Sequence, residues 1–191
     1  MADDVSICNL ALQRLGAKSI SSLTEDSTAA RACNRVYEHA RDSELRAHPW
    51  SFARRRVQVA ADATAPTFGF AKRYQLPSDY LRILPTNGYD GSSVQDDWQI
   101  EGRFIVTNDA SPINLIYLKR VTDENEFDAL FTELLVSRIA MDIAEKITQS
   151  NRKKEEAIVR YNDAKKEARR VNAFEAPPGE LPEDGWVAAR R

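Results

Sequence analysis

The sequence predicts an α+β fold: a bundle of about four helices, two N-terminal and two C-terminal, with a small antiparallel β unit inserted between the pairs and an extended C-terminal tail. Three observations predict it. Apolar residues recur at helical spacing over residues 5–48 and again over 127–171. Between about 52 and 118 they alternate with polar ones, as half-buried strands do. After residue 172 the pattern gives way to a proline-rich segment. The chain therefore divides into 1–49 (first part of the helical body), 50–120 (the β unit), 121–171 (the helical pair completing the body) and 172–191 (the tail).

Each element has a local reason. Asp3 and Asp4 place negative charge at the positive end of a first helix, whose stripe is Val5, Cys8, Leu12 and Leu15, and Gly16 supplies its stop. A polar connector, Ala17 to Asp26, is pinned by Ile20 and Leu23. The second helix starts near Ser27, and its apolar face is Ala29, Cys33, Val36, Tyr37, Ala40, Leu45 and Ala47. It ends at His48, because Pro49 disfavours helical backbone in the residue before it. Residues 52–61 and 66–76 read as extended, Leu76 to Leu81 as a turn with a short helix, and Arg82 to Leu84 as extended again. Trp98 to Val106 and Ile113 to Leu118 read as two further strands. Phe127, Leu130, Phe131, Leu134, Leu135, Ile139 and Ile143 form a wide stripe on a third helix. A fourth, with Ile158, Tyr161, Ala164, Ala168 and Val171, has a narrow apolar face among many charges, so much of it faces water or another subunit.

Composition narrows the function more than the fold. At 42% hydrophobic and 29% charged residues, the chain is an ordinary soluble type, and a net charge of −2 argues against a general polyanion binder. No apolar run is long enough to span a membrane, and the N-terminus lacks a signal peptide, so synthesis in the cytoplasm is expected. Cys8 and Cys33 sit on apolar faces and read as small buried hydrophobes. His39 and His48 are nine residues apart on one helix, which is no metal-ligand spacing, and phosphate-loop, zinc-protease and nucleophile-elbow patterns are missing. The acids at 123–126 open a helix, where they favour its dipole. The expectation is a protein that is not an enzyme, with no catalytic residues, no metal and no cofactor.

Two basic features remain. In a strand, Arg54 and Arg56 share one face and Arg55 takes the other, so a flat strand cannot lay all three on one phosphate row. A solvated strand edge that resists edge-to-edge pairing is the favoured reading. Residues 151–171 carry eight basic against four acidic side chains, whereas 123–149 carry seven acidic against two basic. Helices of opposite sign can pair within a subunit or between subunits.

The run from Ile7 to Ala60 resembles the head–tail adaptor family of tailed bacteriophages, the tail tubular protein A-like connectors. The residues that carry it are Asn9-Leu10-Ala11-Leu12, Leu15-Gly16, Ile20 to Leu23, Ala30-Arg31, Tyr37 to Arg41-Asp42, His48-Pro49-Trp50 and Phe52-Ala53. "YQLPSDYLRIL" at 74–84 looks like the same family. The resemblance implies a structural virion protein at the head–tail junction, forming a twelve-membered homo-oligomeric ring below the portal, with a tail nozzle or tube protein beneath. Double-stranded DNA would pass through its lumen, with no membrane involved. It further implies that C-terminal segments reach toward the portal. Portal-binding residues are then expected on the tail: Phe174, Leu181, Trp186, Arg190 and Arg191. Arg54, Arg55 and Arg56 become candidate channel or inter-subunit residues, and Pro49, Trp50 and Phe52 a structural corner between body and β unit. The alternative is a nucleic-acid-binding or regulatory protein using Arg54 to Arg56 and the basic fourth helix.

Overall fold

A computed structural model of the chain describes residues 3–84 and 97–175. Within them the molecule is α+β, with four helices and two small antiparallel sheets of three strands each. Helix α1 (Asp4–Leu15) opens on Asp3, whose carboxylate accepts from Ser6 N while Ser6 Oγ accepts from Asp3 N. It closes on Gly16, held at φ 76° where a side chain would be strained. Helix α2 (Thr28–Ala47) is capped by the Ser27 hydroxyl and ends at His48 in extended backbone. Asn9 fixes the connector between them: its side-chain amide donates to Ile20 O at 2.9 Å and accepts from Ile20 N at 2.7 Å. Helix α3 (Ala129–Thr148) starts on the Asp128 carboxylate, which accepts from Leu130 N and Phe131 N. It packs against α1, α2 and α4 (Asn151–Glu175), and so forms the centre of the helical body.

The fourth helix corrects one boundary. Residues 172–175 continue α4 rather than opening an extended tail, so Phe174 is helical. The reason lies in Asn172, which is buried and hydrogen-bonds the start of the β unit, so the helix gains contacts at the residue after Val171. Leu181, Trp186, Arg190 and Arg191 lie outside the described residues.

After a 3-10 turn at Ser51–Ala53, β1 (Arg54–Val59) pairs antiparallel with β6 (Ile113–Lys119), and β6 pairs on its other side with β3 (Tyr80–Ile83), giving the order β1-β6-β3. The second sheet is β2-β5-β4, from β2 (Lys72–Gln75), β4 (Trp98–Glu101) and β5 (Phe104–Thr107). The long strand expected over 98–106 is thus a hairpin, folded back at Gly102 with φ 61°. Of residues 66–76 only 72–75 form a strand, and the turn at 76–79 contains no helix.

Alternation along β6 joins two cores. Ile116 and Leu118 enter the core of the helical body with Trp50, Phe131 and Leu135. Ile113, Leu115 and Tyr117 point the other way and meet Tyr74 and Ile105 of the second sheet.

Candidate functional site

The helix-to-strand corner is built around Trp50, which is 1% exposed. Pro49 stops α2 and turns the chain, so the indole enters the body core instead of continuing along the helix. Its Nε1 donates to Glu44 O at 2.8 Å. Its ring meets His48 at 4.6 Å and Phe131 at 5.2 Å, both edge-on, and Phe52 packs on Phe131 at 5.1 Å. Asn172 of α4 closes the corner from outside. Its Oδ1 accepts from Ser51 N at 2.8 Å, and its Nδ2 donates to Pro49 O at 3.3 Å and lies 3.1 Å from His48 Nε2.

One turn along α2, Glu44 is 3% exposed and accepts from the Tyr161 hydroxyl at 2.8 Å and from Arg138 at 3.2 Å. The buried carboxylate is paired and hydrogen-bonded, the condition under which a charge is tolerated inside. It ties α2, α3 and α4 together. Glu44, Tyr161 and Asn172 are not among the sequence candidates; the available signal was Glu44, an acid in line with Tyr37, Ala40 and His48 on the second helix.

Of the arginine triplet, all three are exposed on the edge strand β1. Arg55 shares its face with Tyr117 and pairs with Asp79 at 3.2 Å, and Asp79 also accepts from the Tyr117 hydroxyl at 2.9 Å. Burial first, and that bond second, push the Tyr117 phenol up to about 12. Arg54 and Arg56 stand on the opposite face, beside Leu118 and Ile116, without a partner among the described residues. Arg55 is thus separated from the other two by the sheet itself.

Phe174, 77% exposed, projects from the last turn of α4. Leu10, Phe68, Ile100, Ile158 and Val159 are the other exposed large apolar side chains among the described residues. Between α1, α3 and α4 runs an open groove of about 480 Å³ lined by Arg14, Leu130, Glu133, Arg160, Asp163 and Ala164. Its central feature is an ion pair, Arg14 with Glu133 at 2.5 Å, and Arg14 also donates to Ser137. A second cleft, about 310 Å³, lies on the outer face of the β2-β5-β4 sheet, where the Arg73 guanidinium sits 4.6 Å over the Phe104 ring.

Among the described residues no group of three or more His, Cys, Asp or Glu is placed to hold a metal ion. Cys8 and Cys33 are buried free thiols, and the hydrogen bond between them together with burial pushes the Cys8 thiol up, away from the reactive thiolate. Among the described residues one ion pair links α3 to α4, Lys154 with Glu145 at 2.6 Å. Most of the basic charge on α4 is therefore left unspent by its acidic neighbour. No helix among the described residues is long and apolar enough to cross a membrane. No family model matches the chain, and no curated protein matches its sequence.

Proposed function

We propose that the chain is a head–tail connector of a tailed bacteriophage, a structural virion protein that forms a ring, probed first as a dodecamer, between the portal and the tail. The observation that carries this reading is α4. It runs for 25 residues, yet only Ala157, Tyr161, Ala168 and Asn172 are buried in the subunit, leaving a long, charged outer face interrupted by Val159 and Phe174. A helix of this length with so narrow an inner face suits a protein whose remaining surface is covered by assembly. The resemblance at residues 7–60 and 74–84 supplies the kind of assembly. In this reading the segment after Glu175 carries Leu181, Trp186, Arg190 and Arg191 to the portal, and the ring conducts DNA without catalysis. Each copy has a net charge of −2, so a ring of any number is acidic overall, which suits a conduit that must release DNA.

The test is to purify the full chain, alone and with a portal protein from the same source, and to measure mass by light scattering and shape by negative-stain microscopy. A closed ring, alone or on the portal, is expected. A chain that remains monomeric in both preparations overturns the proposal.

A further inference from the structure

Where α2 ends against α4 and the first sheet, positive charge gathers with no acid among the described residues paired to it. Arg169 lies one turn before Asn172 on α4, on the same side of the helix, and Asn172 contacts the His48 ring. Arg82 stands on β3 opposite Leu118, and Leu118 is in turn opposite Arg54 on β1. Leu118 belongs to the body core, so this row lies on the face of the sheet that looks toward the helices. Arg56 continues it, about 6.6–6.8 Å from Arg54 by strand geometry.

The Nε atoms of Arg82 and Arg169 are shielded from water and have no hydrogen-bond partner. Neither guanidinium forms an ion pair among the described residues. The acids that come close in sequence or space are engaged elsewhere: Glu44 by Tyr161 and Arg138, Glu167 by Arg170, and Asp79 by Arg55. Burial, followed by the charges of Arg169 and Arg82, holds the His48 ring down to about 4, so it stays neutral and adds no third charge at neutral pH. Two half-shielded like charges cost stability. A fold retains such a cost where a counter-charge arrives from outside.

We propose that Arg82 and Arg169, gathered beside His48, form an oxyanion site of the phosphate class, with Arg54 and Arg56 as its outer rim. Guanidinium forks match phosphate oxygens bidentately. A tetrahedral anion presents oxygens in several directions, as donors arriving from α4 and β3 require, whereas a planar carboxylate serves one fork. Two sources offer this chemistry: a small phosphate, and the backbone of DNA. The rim favours a chain of phosphates, and the site would contact it without reading bases. The site belongs to the single subunit, so it stands or falls separately from ring formation.

Inorganic phosphate is the first probe. The melting temperature of the full chain is measured against phosphate concentration, with sodium chloride at equal ionic strength as reference. Phosphate also raises melting temperatures generally by exclusion from protein surfaces, so the comparison that decides is between variants. The expected result is a saturable rise in the wild type, weakened at least about tenfold in Arg169→Gln and Arg82→Gln, weakened less in Arg82→Lys, which keeps the charge without the fork, and kept in the remote control Arg35→Gln. Without phosphate, Arg169→Gln should melt no lower than the wild type, because it removes repulsion and no bond. A labelled short duplex, followed by fluorescence anisotropy, separates the sources. Duplex binding that phosphate displaces and Arg169→Gln weakens assigns the site to DNA; a phosphate effect with no duplex binding assigns it to the small anion. Identical phosphate responses in wild type, Arg169→Gln and Arg82→Gln overturn the proposal.

Discussion

Trp50 does two jobs with one side chain, filling the corner core with its ring and satisfying Glu44 O with its Nε1. Trp50→Ala removes both and leaves a cavity against Phe131, a loss of roughly 3–5 kcal/mol. In a chain of this size that lowers the melting temperature by about 6–20 °C; an unchanged value would show that the corner does not depend on the indole. His48, beside it, gives the protein a dependence on pH with a definite sign. In the unfolded chain its ring takes up a proton near 6.5, and in the folded protein only near about 4. Between those values the unfolded state holds more protons, so stability is full above 6.5 and falls as the pH drops toward 4. His48→Gln should flatten that limb in urea titrations run at pH 7 and pH 4.5; an unchanged slope would show that the buried ring does not set it.

At the level of elements, α4 is held to α2 and the turn after it at two polar points, Tyr161 on Glu44 and Asn172 on Ser51. Asn172→Ala leaves Ser51 N without its acceptor, at a cost of about 1–3 kcal/mol. Amides in the last turns of α4 should then exchange faster than those near Tyr161; equal rates along the helix would show that Asn172 is no latch. The helix ends were readable in the sequence because caps are local: Asp3, Gly16, Ser27 and Pro49 act within one turn of where they stand. The end of α4 was not, since what prolongs it to Glu175 is a tertiary bond to residues more than a hundred positions away. The hairpin at Gly102 was readable in principle, as a glycine-led two-residue turn between apolar alternations, but alternation on both sides made 98–106 look continuous. Trp50 announced the corner because a tryptophan after proline has few places to go. Arg169 was legible only as one of the eight basic residues of the fourth helix, and Arg82 as a lone charge on a strand; only the fold brings the two to one corner.

For the whole molecule, the correction at α4 fixes where the tail can be cut. A chain ending at Val171 loses Asn172 and should be destabilised on that account alone. A chain ending at Glu175 keeps every described contact of the corner, so it should melt as the full chain does while attaching poorly to portal-bearing heads. Equal attachment of that truncated chain, scored by sedimentation with purified heads, would mean that residues 176–191 are not the tether.

The seven residues of β6 have a mechanical consequence. Because Ile116 and Leu118 are anchored in one core and Ile113, Leu115 and Tyr117 in the other, neither half of the molecule can loosen without dragging the strand that the other half grips. A slip of one residue would turn every side chain to the wrong side at once. A push delivered to the outer sheet therefore travels into the helices as through a riveted plate, not a hinge. The amides of β6 should be the last in the β unit to exchange with solvent, at the rate of global unfolding; their early exchange, with the helices still protected, would reveal two bodies that merely touch.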